Sequence, residues 1–253
     1  MPTARRIEGS SALVTGASRG IGRELVVALV ERGARRVYAA ARVPDAVADL
    51  ATLGGGVVVP LRLDVTRDDE VREAAREADD VDLLINNAAV LGFKFGGFDD
   101  RRWLDVAHQE YETNVVGPLR VTQAFAPVLA RQGGGTVVNV GSSAGLVGIP
   151  IVLTYAATKA ALHSITQSAR QMLQAQGTHV VEVYPGPVET DMAADLLVTK
   201  VTAASVAHAI LDGVEQGLED IYPDPFAKDY GDVYAVNPKA LEGRLAALNA
   251  ALD

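Results

Sequence analysis

The chain has 253 residues, 49% of them hydrophobic and 22% charged, enough apolar content for a sizeable core and too much for a disordered or fibrous chain. Its 23 basic and 32 acidic side chains leave a net charge of −9, which disfavours nucleic acid and anionic membrane surfaces as partners, and the absence of cysteine excludes disulfides, thiolate metal sites and cysteine nucleophiles. The four histidines, His108, His163, His179 and His208, are scattered without metal-ligand spacing, so no metal is expected and small molecules are the expected partners.

The opening stretch, MPTARRIEGS, has no apolar segment behind its two arginines, and no run approaches the roughly 18 apolar residues of a membrane span. A cytoplasmic location is the expectation. Short apolar runs then alternate with segments of helical period. SALVTG at 11–16 is followed by a helix over 20–31 that sets Ile21, Leu25, Ala28 and Leu29 on one face. RRVYAAA at 35–41 comes next, and three glycines at 54–56 lead into GVVVPLRL at 56–63. VDLLIN at 81–86 precedes an irregular stretch at 91–105, a helix over 115–129, three more glycines at 133–135 and TVVNVG at 136–141. A helix over 156–173, HVVEVYP at 179–185 and a weaker run, EDIYP at 219–223, complete the series.

These runs are rich in Val, Ile and Leu without polar alternation, the pattern of strands buried on both faces of a parallel sheet. The series predicts an α/β fold, a doubly wound parallel sheet of about seven strands in three α/β/α layers. No linker divides it. Residues 1–253 therefore read as one domain, with a short substrate lid near 191–204.

The first run ends in TGASRGIG, where Gly16, Gly20 and Gly22 stand in a G-x-x-x-G-x-G spacing that opens a helix. Glycine suits a backbone that turns sharply, approaches a pyrophosphate with no Cβ in the way and packs a helix start on a strand. Such a turn can also be no more than a turn. Tyr155 and Lys159 lie four apart on one helix face. An ammonium there favours the phenolate and brings a phenol of pKa about 10 toward general acid/base work, although an exposed surface pair looks the same. Ser142, 13 residues before Tyr155, ends a buried strand, where its hydroxyl can hold a substrate oxygen. Ser143 competes with it, since neighbouring strand residues point to opposite faces. Asn114 begins a helix after ETN, where its amide either caps the helix or holds a water.

Taken in order and at their separations, TGASRGIG, LDV at 63–65, NNAA at 86–89, Asn114, Ser142, YAATK at 155–159 and PGPVET at 185–190 resemble the short-chain dehydrogenase/reductase family over about residues 10–195. The resemblance implies a Rossmann-type fold and hydride transfer between nicotinamide C4 and a carbonyl or alcohol carbon. By position, Tyr155 would protonate the carbonyl oxygen, Lys159 would lower the phenol's pKa and hold the nicotinamide ribose, Ser142 would hydrogen-bond the oxygen, and Asn114 would support a water-linked proton relay. Gly16, Ser18, Arg19, Gly20, Ile21 and Gly22 would cradle the pyrophosphate. Asp64 and Val65 would lie at the adenine, Asn87 and Ala88 along the ribose and sheet edge, and Pro185, Gly186, Val188 and Thr190 around the carboxamide. Asp64 and Thr190 could equally cap the segments that follow them. Two features depart from the family: Ala89 replaces a usual glycine, and the chain lacks the glycine-rich finish common in tetrameric members. A homodimer or homotetramer is still expected.

Cofactor choice follows from charge. An acidic residue ending the second strand would accept from a ribose 2′-hydroxyl and repel a 2′-phosphate. Ala41 stands there, followed by Arg42, with Arg19 in the glycine turn, so two guanidiniums can clamp the phosphate and NADP(H) is expected; both arginines could instead be ordinary surface residues. Met192, Ala193, Ala194, Leu196, Leu197 and Val198, with Leu91, Phe93, Phe95, Val147, Ile149 and Val152, point to an apolar pocket under a lid, with Lys94 and Lys200 in nearby loops. The expectation is an NADPH-dependent reductase of small, apolar carbonyl compounds. The alternatives are an epimerase or dehydratase using the same Tyr/Lys pair, and a cofactor-binding sensor or scaffold that does not turn over.

Overall fold

Seven of the apolar runs pair in register in the computed structural model, which describes residues 6–250, with side chains to residue 246. The first five and last three residues, included above in a single domain and, at the amino end, read as free of an export signal, lie outside the described residues. In chain order the elements are β1 (Ser11–Thr15), α1 (Gly20–Glu31), β2 (Arg36–Ala41), β3 (Val58–Arg62), α2 (Asp68–Glu77), β4 (Leu83–Asn86), α3 (Arg102–Tyr111), α4 (Gly117–Arg131), β5 (Gly135–Val140), α5 (Leu153–Leu173), β6 (Thr178–Val183), β7 (Val188–Glu189), β8 (Val201–Thr202), α6 (Ala203–Glu215), β9 (Asp220–Ile221), α7 (Pro225–Val236) and α8 (Pro238–Ala250). The main sheet runs β3-β2-β1-β4-β5-β6-β9, all parallel.

Successive side chains of each strand enter opposite cores. Val14, Ala39, Ile85, Val138 and Val181 pack with α1 and α6 on one face, while Leu13, Ala40, Leu84, Val137 and Val180 pack with α2 and α4 on the other. Both faces are covered, which is why the strands lack polar alternation. The chain moves from β1 outward to β3, then returns to place β4 on the other side of β1. Ligands of such sheets bind at this reversal, beyond the carboxyl ends of the strands.

Two connections differ from the expected pattern. The link from β2 to β3 is a short-turn 3₁₀ segment, Pro44–Gly55, broken at Leu53 and Gly54, and not a full helix. The helix expected from residue 115 is the continuation of α3 through one π-helical turn, Glu112–Val116, into α4. Asn114 lies inside that turn. The segment after Met192 leaves and rejoins the body through the parallel pair β7 and β8, with Val188 opposite Val201 and Glu189 opposite Thr202. The excursion rejoins the body at β8, and α6 starts at Ala203 with Thr202 capping its first turn by accepting from the Ser205 amide, so the expected lid span of 191–204 overlaps β8 and the first two residues of α6.

Candidate active site

The glycine turn is built against β4. Thr15 Oγ1 accepts the amides of Asn87 at 2.9 Å and Ala88 at 3.0 Å, and Asn87 Nδ2 donates back to the carbonyls of Thr15 and Gly16 at 2.9 and 3.2 Å. This closure leaves no room for side chains. A Cβ on Gly22 would lie 2.3 Å from the Gly16 carbonyl oxygen, and Gly16, at φ +66°, would press one to 2.9 Å from the Ala88 Cα. Arg19 precedes α1 without a side-chain cap, and the first turn holds no acidic residue. The amides of that turn and the positive end of the helix are therefore left for an anion. Ser18, Gly20 and Ile21 line the same turn, partly buried, and Gly20 faces Thr190.

Arg19 and Arg42 are both exposed. Arg19 pairs with Asp191 at 3.1 Å across the mouth of the excursion, and Arg42 has no carboxylate partner among the described residues. Several other cofactor candidates sit at the sheet edge with their polar atoms already engaged. Asn87 holds the glycine turn. The Gly186 amide donates to Asp224 Oδ2 at 2.8 Å, the Pro185 carbonyl accepts from the Ser143 amide at 3.0 Å, and Val188 is buried. Asp64 Oδ1 accepts from the amide and hydroxyl of Thr66 at 3.0 and 2.8 Å, and Val65 is buried against Gly117. The capping roles open to Asp64 and Thr190 are not taken. Neither α2 nor the 3₁₀ turn after Thr190 has a side-chain cap, and the Thr190 hydroxyl donates to the Val188 carbonyl at 3.3 Å.

Asn114, Ser142, Tyr155 and Lys159 come from three neighbouring elements. Asn114 is fully buried and caps nothing. Its Oδ1 accepts the Val90 amide at 2.8 Å, and its Nδ2 donates to the Val90 carbonyl at 2.8 Å and to Thr158 Oγ1 at 3.1 Å. It thereby fastens the loop after β4 to α5. Of the two serines, Ser142 is the one beside the phenol: its hydroxyl accepts the Ala144 amide at 3.1 Å and pulls the Tyr155 pKa down by hydrogen bonding, whereas Ser143 is buried.

Burial nevertheless pushes Tyr155 up to about 12, helped by the charge of Glu110. This departs from the expected acidified phenol. Lys159 lies with Nζ 5.5 Å from the Tyr155 ring centroid, but it donates to the Val140 carbonyl at 2.8 Å at the end of β5. Burial lowers Lys159 to about 8, against the attraction of Glu182.

The expected apolar lining divides in the same way. Leu91, Ile149 and Val152 pack with Ala156 around Tyr155. Val147 packs against the Tyr184 and Tyr230 cluster, Phe93 sits edge-on to Trp103, and Leu197 is fully exposed. Lys94 donates to the Met192 carbonyl at 3.0 Å and pairs with Asp195 at 2.8 Å, and Lys200 donates to the Ala194 carbonyl at 3.2 Å, so both lysines hold the excursion itself. Sequence reasoning passed over Thr158, which anchors Asn114, and Glu110, a buried carboxylate that accepts the Gly92 amide at 2.7 Å. It also passed over Glu182, although a charged residue inside the apolar run HVVEVYP is a visible anomaly.

A glycine turn at the reversal point of a doubly wound parallel sheet, with a Ser/Tyr/Lys group at its carboxyl edge, defines a nucleotide-binding oxidoreductase class. The family model for short chain dehydrogenase matches residues 10–200, and the chain belongs to that family. It is 36% identical over 193 residues to a sorbitol dehydrogenase of Cereibacter sphaeroides, covering 73% of this chain and 72% of that one. It is 34% identical over 190 residues to the 3-oxoacyl-(acyl-carrier-protein) reductase FabG of Staphylococcus epidermidis, covering 72% and 76%. A crystal structure of a short chain dehydrogenase from Burkholderia cenocepacia J2315 in complex with NADP superposes with a TM-score of 0.87 at 35% identity, over 95% of this chain and 99% of that one.

Proposed function

We propose that the protein is an NADPH-dependent reductase that converts a small, apolar carbonyl compound to its alcohol. One observation carries the reading: Tyr155 lies partly buried on α5 with the Lys159 ammonium one helical turn on, 5.5 Å from its ring centre, at the sheet edge beside a glycine turn whose helix start is left open. The glycines fit a dinucleotide because a Cβ at position 16 or 22 would collide with the turn's own walls. The NADP-bound relative supports the same cofactor here.

The nicotinamide, when bound, supplies the hydride. The amides opening α1 would hold the pyrophosphate, and Arg19 and Arg42 would pair with a 2′-phosphate. Ser142 would orient the carbonyl oxygen. Tyr155 would hold its proton at Oη until negative charge develops on that oxygen, and Lys159 would stabilise the phenolate left behind. Burial keeps the phenol protonated until that charge develops. Leu91, Ile149, Val152 and Ala156 would exclude water around this transfer.

Asn114 would act by holding Val90 and Thr158 in place, with its side-chain amide committed to protein partners. Exposed Leu104, Tyr111 and Leu119 on α3 and α4 support pairing with a second copy of the chain. The test is NADPH oxidation with a panel of apolar and charged ketones and aldehydes, beside the same panel with NADH. Turnover confined to charged carbonyls, or a preference for NADH, would overturn the assignment.

A further inference from the structure

The segment between β7 and β8, residues 190–200, stands out from the body on few supports. Its base is the β7–β8 pair, and Lys200 bonds back within it, to the Ala194 carbonyl. Leu197 is fully exposed and Val198 half-exposed, so apolar packing does little to hold its tip. Among the described residues, its polar contacts with the body are those of Arg19 and Lys94.

These two contacts are unequal. Arg19 and Asp191 are 75% and 77% exposed, where an ion pair is screened and contributes little. The Lys94 side chain is only 15% exposed and makes two bonds, from Nζ to the Met192 carbonyl at 3.0 Å and to Asp195 Oδ2 at 2.8 Å. One shielded ammonium therefore grips the segment at two points.

The loop that carries Lys94 is fixed on both sides of it. Phe93 lies edge-on to Trp103 at 4.6 Å, with the Arg102 guanidinium 4.2 Å from its ring centre. Phe95 holds φ at +64°, a left-handed conformation that is unfavourable for a bulky side chain, and its amide donates to the Ile151 carbonyl at 3.0 Å. Trp103 Nε1 closes the loop by donating to the Gly97 carbonyl at 2.9 Å. Such strain persists only where the surroundings over-determine the backbone, and here they aim Lys94 at the segment.

Arg19 belongs to the turn after β1 and Lys94 to the loop after β4, neighbouring strands on either side of the reversal. A segment tied to both crosses the mouth of the crevice between them. The same β4 loop brings Leu91 to the cluster around Tyr155, and Ile151, which anchors Phe95, belongs to that cluster too.

We propose that Lys94 is a latch: by gripping Met192 and Asp195 it holds residues 190–200 closed across the crevice, and so acts as a positioning residue for the carbonyl substrate. Its effect on turnover rests on the reductase reading, whereas the closure does not. Asp195 is 63% exposed, so the pair can also open, as entry and release require.

The test reverses the charges singly and together, because removal alone would not separate a latch from general loosening. Lys94→Glu and Asp195→Lys each set like charges face to face, and K94E/D195K restores attraction without the bond to Met192. In the protein alone, amide hydrogen exchange across 190–200 should quicken by about 3- to 10-fold in each single variant and slow again in the double one, with β5 unchanged. Exchange at the wild-type rate in either single variant, or in the double variant no slower than in the singles, overturns the proposal. With an apolar carbonyl compound that the wild type reduces, kcat/KM should fall by a similar factor in each single variant, mainly through KM, and recover in the double one. Unchanged kinetics beside faster exchange overturn the positioning role. If the wild type reduces no carbonyl compound, the reductase reading fails, while exchange still judges the latch.

Discussion

Lys159 gives its buried ammonium to the carbonyl oxygen of Val140, 2.8 Å away, while its nitrogen stands 5.5 Å from the ring centre of Tyr155. The bond ties α5 to the end of β5 and keeps the cation at the edge of the sheet. It also makes the lysine a visible element of stability. Its folded pKa of about 8 lies below the ordinary 10.5. Between those values the unfolded chain binds a proton that the folded chain lacks, so this group makes stability rise with pH there, and its cost is fully present below about pH 8. The difference in unfolding free energy between wild type and Lys159→Met should therefore grow in favour of wild type from pH 8 to 10. A flat or falling difference in urea titrations contradicts the assignment.

Arg42 has no competing carboxylate among the described residues, whereas Arg19 is shared with Asp191. Arg42→Ala should accordingly weaken NADPH binding by about 10- to 100-fold, the range for a lost charged hydrogen bond, with NADH binding little changed. Fluorescence titration of both dinucleotides measures this. Equal losses for the two would remove Arg42 from 2′-phosphate recognition.

Asn114→Ala strips partners from both backbone groups of Val90 and from Thr158. The expected cost is about 2–4 kcal/mol of stability, because buried polar groups are left unsatisfied. Asn114→Asp keeps the acceptor for the Val90 amide but loses both donated bonds, and should fall below wild type as well. A loss under about 1 kcal/mol for Asn114→Ala in urea unfolding would show that the loop after β4 does not depend on this residue.

Gly22→Ala places a methyl 2.3 Å from the Gly16 carbonyl and 2.4 Å from Asn87 Nδ2. Overpacking of this kind costs about 1–3 kcal/mol and should also abolish tight dinucleotide binding by opening the turn. Gly148→Ala, with nothing within 4 Å of the new Cβ, serves as the control. Calorimetric binding by Gly22→Ala equal to that of the control would mean that close approach at this turn is not needed.

The sheet was legible because a strand covered on both faces is largely apolar, and the six longer runs carry that mark, whereas β9, Asp220–Ile221 with Asp220 exposed, shows it only weakly. Tyr155 and Lys159 were legible because a helix repeats every 3.6 residues, and Gly16, Gly20 and Gly22 because the steric need is local. What a side chain bonds to across the fold was not. Asn114 reads as the start of a helix, since a π turn has no distinct residue pattern, and its partner Val90 comes from a separate loop. The direction of the Tyr155 shift was missed because proximity to Lys159 is visible in the spacing, whereas burial comes from packing among Leu91, Ile149, Val152 and Ala156 and the Glu110 charge arrives from α3. Phe93 and Leu197 read as pocket lining on hydrophobicity alone; tertiary packing sends one to Trp103 and the other to solvent.

Single-turnover oxidation of NADPH by Tyr155→Phe, with a carbonyl compound that the wild type reduces, asks most directly whether the phenol supplies the proton. The substitution keeps the ring among Leu91, Ile149, Val152 and Ala156 and removes only the hydroxyl beside Ser142. The predicted result is a rate lower by about 10²- to 10⁴-fold, the usual worth of a general acid, with NADPH affinity retained. A rate within about tenfold of wild type would contradict it.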